Sequence, residues 1–236
     1  MSSMTVDEVL DYLARRGSKR NLDGMARYGI VTKSGRAFGV SVETLRTLGK
    51  RCGRDHKLAL DLWKSGWYEA RMLTAFVDDP GLVTPSQMDR WARDFDNWAI
   101  CDALTFHLFD KSPHAWDKVS EWATRNEEFV RRAAFALLAA LALHDHTTAD
   151  APFKRSLKLV ERAASDDRNF VKKGVSWALR SIGSRSPQLN AAAIQLATRL
   201  SKSTNPAERW VGKDALRDIT RPMVQARAKR RILKRT

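Results

Sequence analysis

The sequence FDNWAICDALTFHLF, residues 95–109, carries an indole and a carboxylate four positions apart. If this stretch is a helix capped by Asn97, Trp98 and Asp102 lie side by side on one surface. An aromatic face attracts a cation, and a fixed carboxylate stabilises positive charge that develops during a reaction. A packing stripe does not require such a pair. Trp98 and Asp102 are therefore our candidate catalytic residues.

Three other helical motifs contain side chains suited to an anion or a charged nucleotide. Arg132 lies in NEEFVRRAAFALLAAL, a helix that its apolar residues predict to be packed on most sides. Its guanidinium is then either a buried ion-pair partner or an anion ligand. Trp177 follows Lys172 and Lys173 in NFVKKGVSWALR. In WVGKDALRDI we place Lys213 close to the start of a helix, where it can hold a phosphate.

A purely structural interpretation of the same residues stays open, because a Trp four positions before an Asp is by itself a weak signal. Asp102 can pair with Arg132 or another basic residue as a structural ion pair. Trp98 and Trp177 can be core aromatics. The other six tryptophans are expected to be packing residues: Trp63, Trp67, Trp91, Trp116, Trp122 and Trp210.

The charge balance predicts a polyanionic partner. The 236 residues include 42 Lys and Arg against 27 Asp and Glu, which gives a net charge of +15, and the pI is near 10.3. Nucleic acid and anionic membrane surfaces are the usual partners of such a chain. The sequence has neither a membrane-spanning apolar run nor a signal peptide, so we expect a soluble, cytoplasmic protein that associates with the nucleoid when bound to DNA.

Neither the cysteines nor the histidines indicate a metal or a cofactor. Cys52 and Cys101 have no zinc-ligand spacing and form no disulfide framework. His144 and His146 are two residues apart and would project from different sides of a helix. We therefore expect no metal site and no small-molecule cofactor.

Helix-start and helix-stop signals recur along the whole chain and predict an all-α protein. Asn97 is one predicted cap, and a cap followed by proline recurs at Thr84-Pro85, Ser112-Pro113, Ser186-Pro187 and Asn205-Pro206. No segment alternates with period two for long enough to predict a strand. The starts are spaced by 13 to 24 residues, so that pairs of helices approach the length of a HEAT-type unit. This pattern favours a curved α-solenoid of antiparallel helix pairs, most simply a monomer.

The last sixteen residues have a different composition. RPMVQARAKRRILKRT, residues 221–236, contains seven basic residues and no acidic one. A run of this kind is typical of a disordered, solvated tail that adds nonspecific affinity for nucleic acid. We therefore place one HEAT-like domain at residues 1–220 and a basic tail at 221–236.

At several of these motifs the chain resembles the AlkD family of DNA alkylation repair glycosylases, which are HEAT-like α-solenoids. The likeness starts at MARY, residues 25–28, and continues through LWKSGWYEARMLTAF, NWAICD, FVRRAAFALL and FVKKGVSWALR to GKDALRDI. The family's catalytic carboxylate, with a Trp four positions before it, corresponds to Asp102 and Trp98. Its backbone-binding arginine, in R-A-A, corresponds to Arg132. Its second aromatic, in W-x-L-R, corresponds to Trp177.

Two positions beside the catalytic motif depart from the family. The family commonly has Trp-Trp before the catalytic Asp, whereas this chain has Asn97-Trp98, and the acidic residue that often follows is Ala99 here. These changes can alter the range of lesions or the position of the attacking water. The basic tail has no counterpart in the resemblance.

The resemblance implies excision of N3- and N7-alkylated purines from duplex DNA by hydrolysis of the N-glycosidic bond, with the base left stacked instead of flipped. Asp102 would stabilise the cationic sugar and activate water, Trp98 and Trp177 would contact the sugar and charged nucleotide, and Arg132 would bind a phosphate. The remaining DNA-binding candidates are one tyrosine and six basic residues: Tyr28, Lys33, Arg36, Lys172, Lys173, Lys213 and Arg217.

Two other classes of protein share some of these features. A noncatalytic HEAT-like module that binds DNA or a protein has the same fold and charge, but releases no alkylated base. A basic peripheral membrane protein needs a helix with a wide exposed apolar face, and the tail has too few apolar residues for that. The first is the alternative to the glycosylase, and we expect no membrane partner.

Overall fold

The computed structural model describes residues 4–233, with side chains described through Lys229. The predicted all-α class is confirmed, since these residues form fourteen α-helices, one short 3-10 helix at Phe109–Lys111 and no strand. The helices are α1 Val6–Ala14, α2 Lys19–Arg27, α3 Val42–Cys52, α4 His56–Lys64, α5 Tyr68–Val77, α6 Pro85–Arg93, α7 Trp98–His107, α8 Ala115–Trp122, α9 Glu128–His144, α10 Asp150–Ala163, α11 Asn169–Gly183, α12 Pro187–Ser201, α13 Pro206–Ile219 and α14 Pro222–Leu233.

Side-chain caps begin four helices where the sequence predicts them, whereas the start predicted at Ser112-Pro113 is wrong because α8 begins at Ala115. The Asn97 side chain accepts from the backbone N–H groups of Ala99 and Ile100 at the start of α7. Thr84, Ser186 and Asn205 likewise accept from N–H groups of the first turn, and in each case proline follows at the first helical position. These contacts satisfy donors that have no partner within the helix.

The chain divides into two compact units, one ending at Ala115 and the other beginning at Trp116. In the first unit α5 packs against α3, α4 and α7. In the second, α11 packs against α9 and α13, and α12 packs against α13. The two units bury mainly Ala, Leu and Val side chains, the apolar residues that the helical periodicity identifies as core. The single-domain boundary at residue 220 stays a prediction.

The predicted disordered tail is wrong for residues 222–233, which form α14. Val224 is 7% exposed and Ala228 is fully buried, and the helix packs against α12 and α13. These two small apolar residues are one turn apart, so a helix places them on one face that the neighbouring helices can cover. Residues 234–236 lie outside the described part of the chain.

In residues 4–233 no helix combines the length and the apolar character needed to cross a bilayer.

Candidate functional site

The predicted catalytic pair lies on α7, the helix capped by Asn97. Trp98 is the first residue of this helix and Asp102 follows one turn later, so both side chains lie on the same side of the helix. Both residues are partly exposed, whereas Ile100, Cys101 and Leu104 are buried. The packed side of α7 therefore fixes the helix, while its other side keeps a carboxylate and an indole accessible.

The Trp98 indole is anchored to a distant part of the chain. Its Nε1–H donates to the backbone carbonyl of Tyr28 at 2.9 Å. Tyr28 is the C-cap residue that follows α2, and its own side chain is 74% exposed. A main-chain acceptor therefore orients the indole, while the phenol ring, one of the predicted DNA contacts, stays in solvent.

Asp96 links the loop that follows α2 to the start of α7, a role that the sequence did not predict. Its Oδ2 accepts from the backbone N–H of Lys33 at 2.7 Å, and its Oδ1 accepts from the Asn97 side-chain amide at 2.7 Å. Lys33 is exposed. Asp96 thus places one predicted phosphate contact beside the beginning of α7, and its position directly before the Asn97 cap is the available sequence signal.

Glu69 on α5 binds the backbone at the end of the loop over residues 31–40. Glu69 is fully buried and accepts from the backbone N–H groups of Phe38, Gly39 and Val40 at 2.9, 2.7 and 3.2 Å. A buried carboxylate is tolerated when donors of this kind surround it. The loop that carries Lys33 is therefore an ordered part of the first unit.

Arg36 is held at its backbone and is exposed at its side chain. The Arg36 carbonyl accepts from the backbone N–H of Tyr68 at 2.9 Å, and its guanidinium makes one long contact of 3.4 Å with the Ser65 carbonyl. Burial, together with the charges of Glu69 and Asp96, raises the pKa of Tyr68 far above its ordinary value, so its phenol stays neutral. Because the Arg36 guanidinium makes only that one long contact, it keeps most of its N–H donors available to a phosphate.

In the second unit, Arg132 lies on α9 and packs against α11. It is 6% exposed, and its guanidinium donates to the Phe170 carbonyl at 2.7 Å. A Cβ built at Gly174 would lie 3.5 Å from both the Arg132 Cγ and its carbonyl oxygen, which is ordinary van der Waals contact, so α11 packs closely against α9 at this point. The guanidinium is fixed in place, a geometry that suits either of the two roles that the sequence leaves open.

The start of α11 is held by ionic contacts around Asp166. Its carboxylate accepts from Arg131 at 3.0 Å and from the Arg168 guanidinium at 2.6 and 2.9 Å. Burial alone would raise the pKa of Asp166, but the hydrogen bonds and charge of Arg168, with the charge of Arg131, outweigh it and lower that pKa. This cluster fixes the helix that presents Trp177, which is partly exposed two turns further on.

Trp210 on α13 is a surface aromatic that sequence analysis assigned to packing. It is 36% exposed, and the ammonium nitrogen of Lys172 lies 5.2 Å from its ring centroid, a cation–π contact. The packing assignment is therefore wrong for Trp210, although Trp63, Trp91 and Trp122 are buried as expected. The exposed Lys173 follows Lys172 on the same helix.

The expected position of Lys213 at a helix start is wrong. Since α13 begins at Pro206, Lys213 lies two turns inside the helix, exposed but away from the free N–H groups. The earlier start follows from the Asn205 cap and Pro206. Arg217, one turn on, is ion-paired to Asp214 and its side chain is 72% exposed. Direct contact of Lys213 or Arg217 with DNA phosphates stays a prediction.

The described residues form an all-α protein of the HEAT-like repeat class. One solved structure with this fold matches at a TM-score of 0.76, with 19% sequence identity, over 91% of this chain and 95% of that chain. It represents "a new family of proteins related to the HEAT-like repeat DNA glycosylases with affinity for branched DNA structures". At this identity the likeness shows the fold alone.

The family model of DNA alkylation repair enzymes matches residues 9–219, and the chain belongs to that family. No curated protein matches this chain. The match covers both units and ends just before α14, so it includes every candidate residue named above.

Proposed function

We propose that this protein is a DNA glycosylase that hydrolyses the N-glycosidic bond of cationic N3- and N7-alkylated purines in duplex DNA. The observation that carries the proposal is the pair on α7: a partly exposed Asp102 lies one turn from Trp98, whose indole is fixed to the Tyr28 carbonyl. Membership in the DNA alkylation repair family supports the same substrate class.

The chemistry follows from the charge of the substrate. An alkylated purine is already cationic, so it leaves as a neutral base with the electron pair of the C–N bond and needs no general acid. Positive charge builds on the deoxyribose, water adds to C1′, and a proton is released. Asp102 stabilises the cationic sugar and orients or deprotonates that water; a preorganised charge of this kind contributes about 2.7–4 kcal/mol.

The aromatic and basic residues have positioning roles in this proposal. Trp98 and Trp177 face the cationic sugar and nucleotide, where each ring contributes on the order of 0.5–2 kcal/mol. Arg132, whose guanidinium donates to the Phe170 carbonyl, binds a phosphate beside the lesion.

The protein recognises the damaged nucleotide through the sugar and phosphates of the DNA backbone and leaves the base stacked in the duplex. A pocket for a flipped base hydrogen-bonds the base edge with a set of polar groups. The candidate residues here are instead aromatic or charged, which suits the sugar and the phosphates. Basic residues at the surface then supply sequence-independent affinity.

The test is release of free base from duplex DNA treated with a methylating agent. The wild-type protein should release 7-methylguanine and 3-methyladenine, and Asp102→Asn should reduce the single-turnover rate by roughly 10²–10³-fold, the range typical of one lost transition-state contact. Asp117→Asn, an exposed carboxylate on α8, is the matched control and should retain the wild-type rate. Equal background release by wild type and Asp102→Asn would reject the glycosylase proposal.

The second candidate function is noncatalytic binding of branched DNA. It is favoured by one observation, the similarity in fold to a protein described as having affinity for branched DNA. A four-way junction and a duplex of equal length, compared by fluorescence anisotropy at one salt concentration, separate the two functions. Tighter binding of the junction, together with no release of methylated base, would favour this function over the enzyme.

A further inference from the structure

A basic cavity in the first unit lies outside the candidate catalytic surface. It has a volume of about 460 Å³ and opens between α3, the end of α5 and the end of α7. This volume is within the range of ordinary ligand pockets. Four cationic side chains and one imidazole line it: Arg46, Lys50, Arg54, Lys111 and His107.

The wall of this cavity is aromatic. The Phe76 and His107 rings are 5.0 Å apart between centroids, and the Arg46 guanidinium lies 5.9 Å from the Phe76 ring and 3.2 Å from the His107 Nε2. Gly49 on α3 makes room for Phe76, because a Cβ built there would lie 2.6 Å from the Phe76 Cβ. The cavity thus offers an aromatic surface beside a guanidinium.

Carboxylates of the described residues neutralise little of the positive charge that lines the cavity. Arg46 and Lys50 are four residues apart on α3, an arrangement of like charges that destabilises a helix. Among the side chains that the structure describes, those of residues 4–229, none of Arg46, Lys50 and Arg54 has a carboxylate at ion-pair distance. Lys111 contacts the Asp110 carboxylate at 3.3 Å. The negative ends of the helices offset only part of this positive charge.

The cavity is distinct from the candidate catalytic pair. His107 is nine positions after Trp98, or two and a half helical turns, so the two side chains leave α7 on opposite sides. The cavity is also at the C-terminal end of the helix, whereas Trp98 and its Tyr28 partner are at the N-terminal end. A ligand in the cavity therefore uses a different surface of the first unit.

We propose that this cavity is a second anion site, which binds a phosphate-bearing ligand. The guanidinium groups of Arg46 and Arg54 and the ammonium groups of Lys50 and Lys111 supply charge-assisted donors to phosphate oxygens. The Arg54 guanidinium is already oriented by a hydrogen bond to the Asp78 carbonyl. Phe76 packs against the organic part of the ligand. The phosphate belongs either to a strand of DNA or to a small phosphorylated molecule.

The test uses the full chain with pyrophosphate as the small probe and an undamaged 20-base-pair duplex as the DNA probe. The variant is Arg46→Gln/Lys50→Gln, at two exposed positions. The control is Arg90→Gln/Arg93→Gln, which removes the same two charges from exposed positions on α6. Affinities are measured by calorimetry and by anisotropy at constant ionic strength, and folding of each variant is checked by circular dichroism.

The expected result is a loss of affinity roughly tenfold greater in the Arg46/Lys50 variant than in the control, for at least one probe, since one lost charge-assisted hydrogen bond has about this effect. A selective loss for DNA, with pyrophosphate displacing DNA from the wild type, assigns the site to a DNA phosphate. A selective loss for pyrophosphate without displacement assigns it to a small phosphorylated ligand. Equal losses in both variants, for both probes, overturn the proposal and leave these cations as ordinary surface charges.

Discussion

The Trp98 indole N–H and the Tyr28 backbone carbonyl are joined by a hydrogen bond of 2.9 Å across a separation of 70 residues. Because the acceptor is main chain, substitution of the Tyr28 side chain leaves it in place. The orientation of a candidate catalytic aromatic therefore depends on where the α2 helix ends, and much less on which side chain stands there.

This contact predicts different effects for two conservative substitutions. Trp98→Phe keeps an aromatic ring but removes the N–H donor, and one such hydrogen bond is worth about 1 kcal/mol. Its single-turnover rate of 7-methylguanine release at saturating DNA should fall about fivefold or more, whereas Tyr28→Phe, which keeps the carbonyl, should stay close to wild type in that rate and act only on DNA affinity. Equal rates for Trp98→Phe and wild type would contradict a role for this hydrogen bond.

Glu69 predicts a large loss of stability from a small chemical change. Glu69→Gln replaces one carboxylate oxygen with an amide NH₂, which must then face a backbone N–H of the loop at residues 38–40. Leaving a buried donor unsatisfied costs about 1–3 kcal/mol, so the free energy of unfolding in urea should fall by that amount. Glu43→Gln, at an exposed position on α3, is the control and should change it by less than about 0.5 kcal/mol.

The exposed lysines of the second unit predict the salt dependence of DNA binding. If Lys173 and Lys213 each contact a phosphate, each Lys→Gln substitution should reduce the slope of log affinity against log salt by about 0.9. Anisotropy titrations of an undamaged duplex between 50 and 200 mM salt, which are our chosen conditions, measure that slope. Lys154→Gln, exposed on α10, is a control of equal charge and should reduce the slope less.

Asp145, which follows α9, predicts a stability difference that depends on pH. Burial raises its pKa, but hydrogen bonds from Thr148 and Thr147 outweigh this and lower the pKa to about 2. A carboxyl whose pKa is lower in the folded state stabilises the protein above its unfolded-state pKa, about 3.9, and this stability is lost as the pH falls towards 2. Asp145→Asn should therefore lower the Tm at pH 7, with a smaller difference at pH 2.5.

Asn retains one acceptor for the Thr147 and Thr148 donors, so the comparison reports mainly the charge at this position. Thermal unfolding followed by circular dichroism at both pH values measures the difference. Asp117→Asn, exposed on α8, serves as the control and should not reproduce the pH dependence. A Tm difference that is the same at both pH values would exclude the ionised Asp145 carboxylate as the cause.

Local sequence signals determined the class of the protein and most of its elements. Asn97 caps α7 because its own side chain reaches the next N–H groups, and Thr84, Ser186 and Asn205 act in the same way. Such contacts span two or three residues, so the sequence alone is sufficient to predict them. The spacing of Trp98 and Asp102 on one side of a helix is local in the same sense.

The tertiary structure alone decided the relationships that join distant residues. The Tyr28 carbonyl orients Trp98, Glu69 holds the loop at residues 38–40, and the Phe170 carbonyl binds Arg132, each through a contact between parts of the chain 29 to 70 residues apart. The basic cavity around Phe76 and the burial of α14 arise in the same way, from helices that meet in space. Caps and periodicity act within one helix, whereas these contacts depend on how the helices pack, which no local pattern encodes.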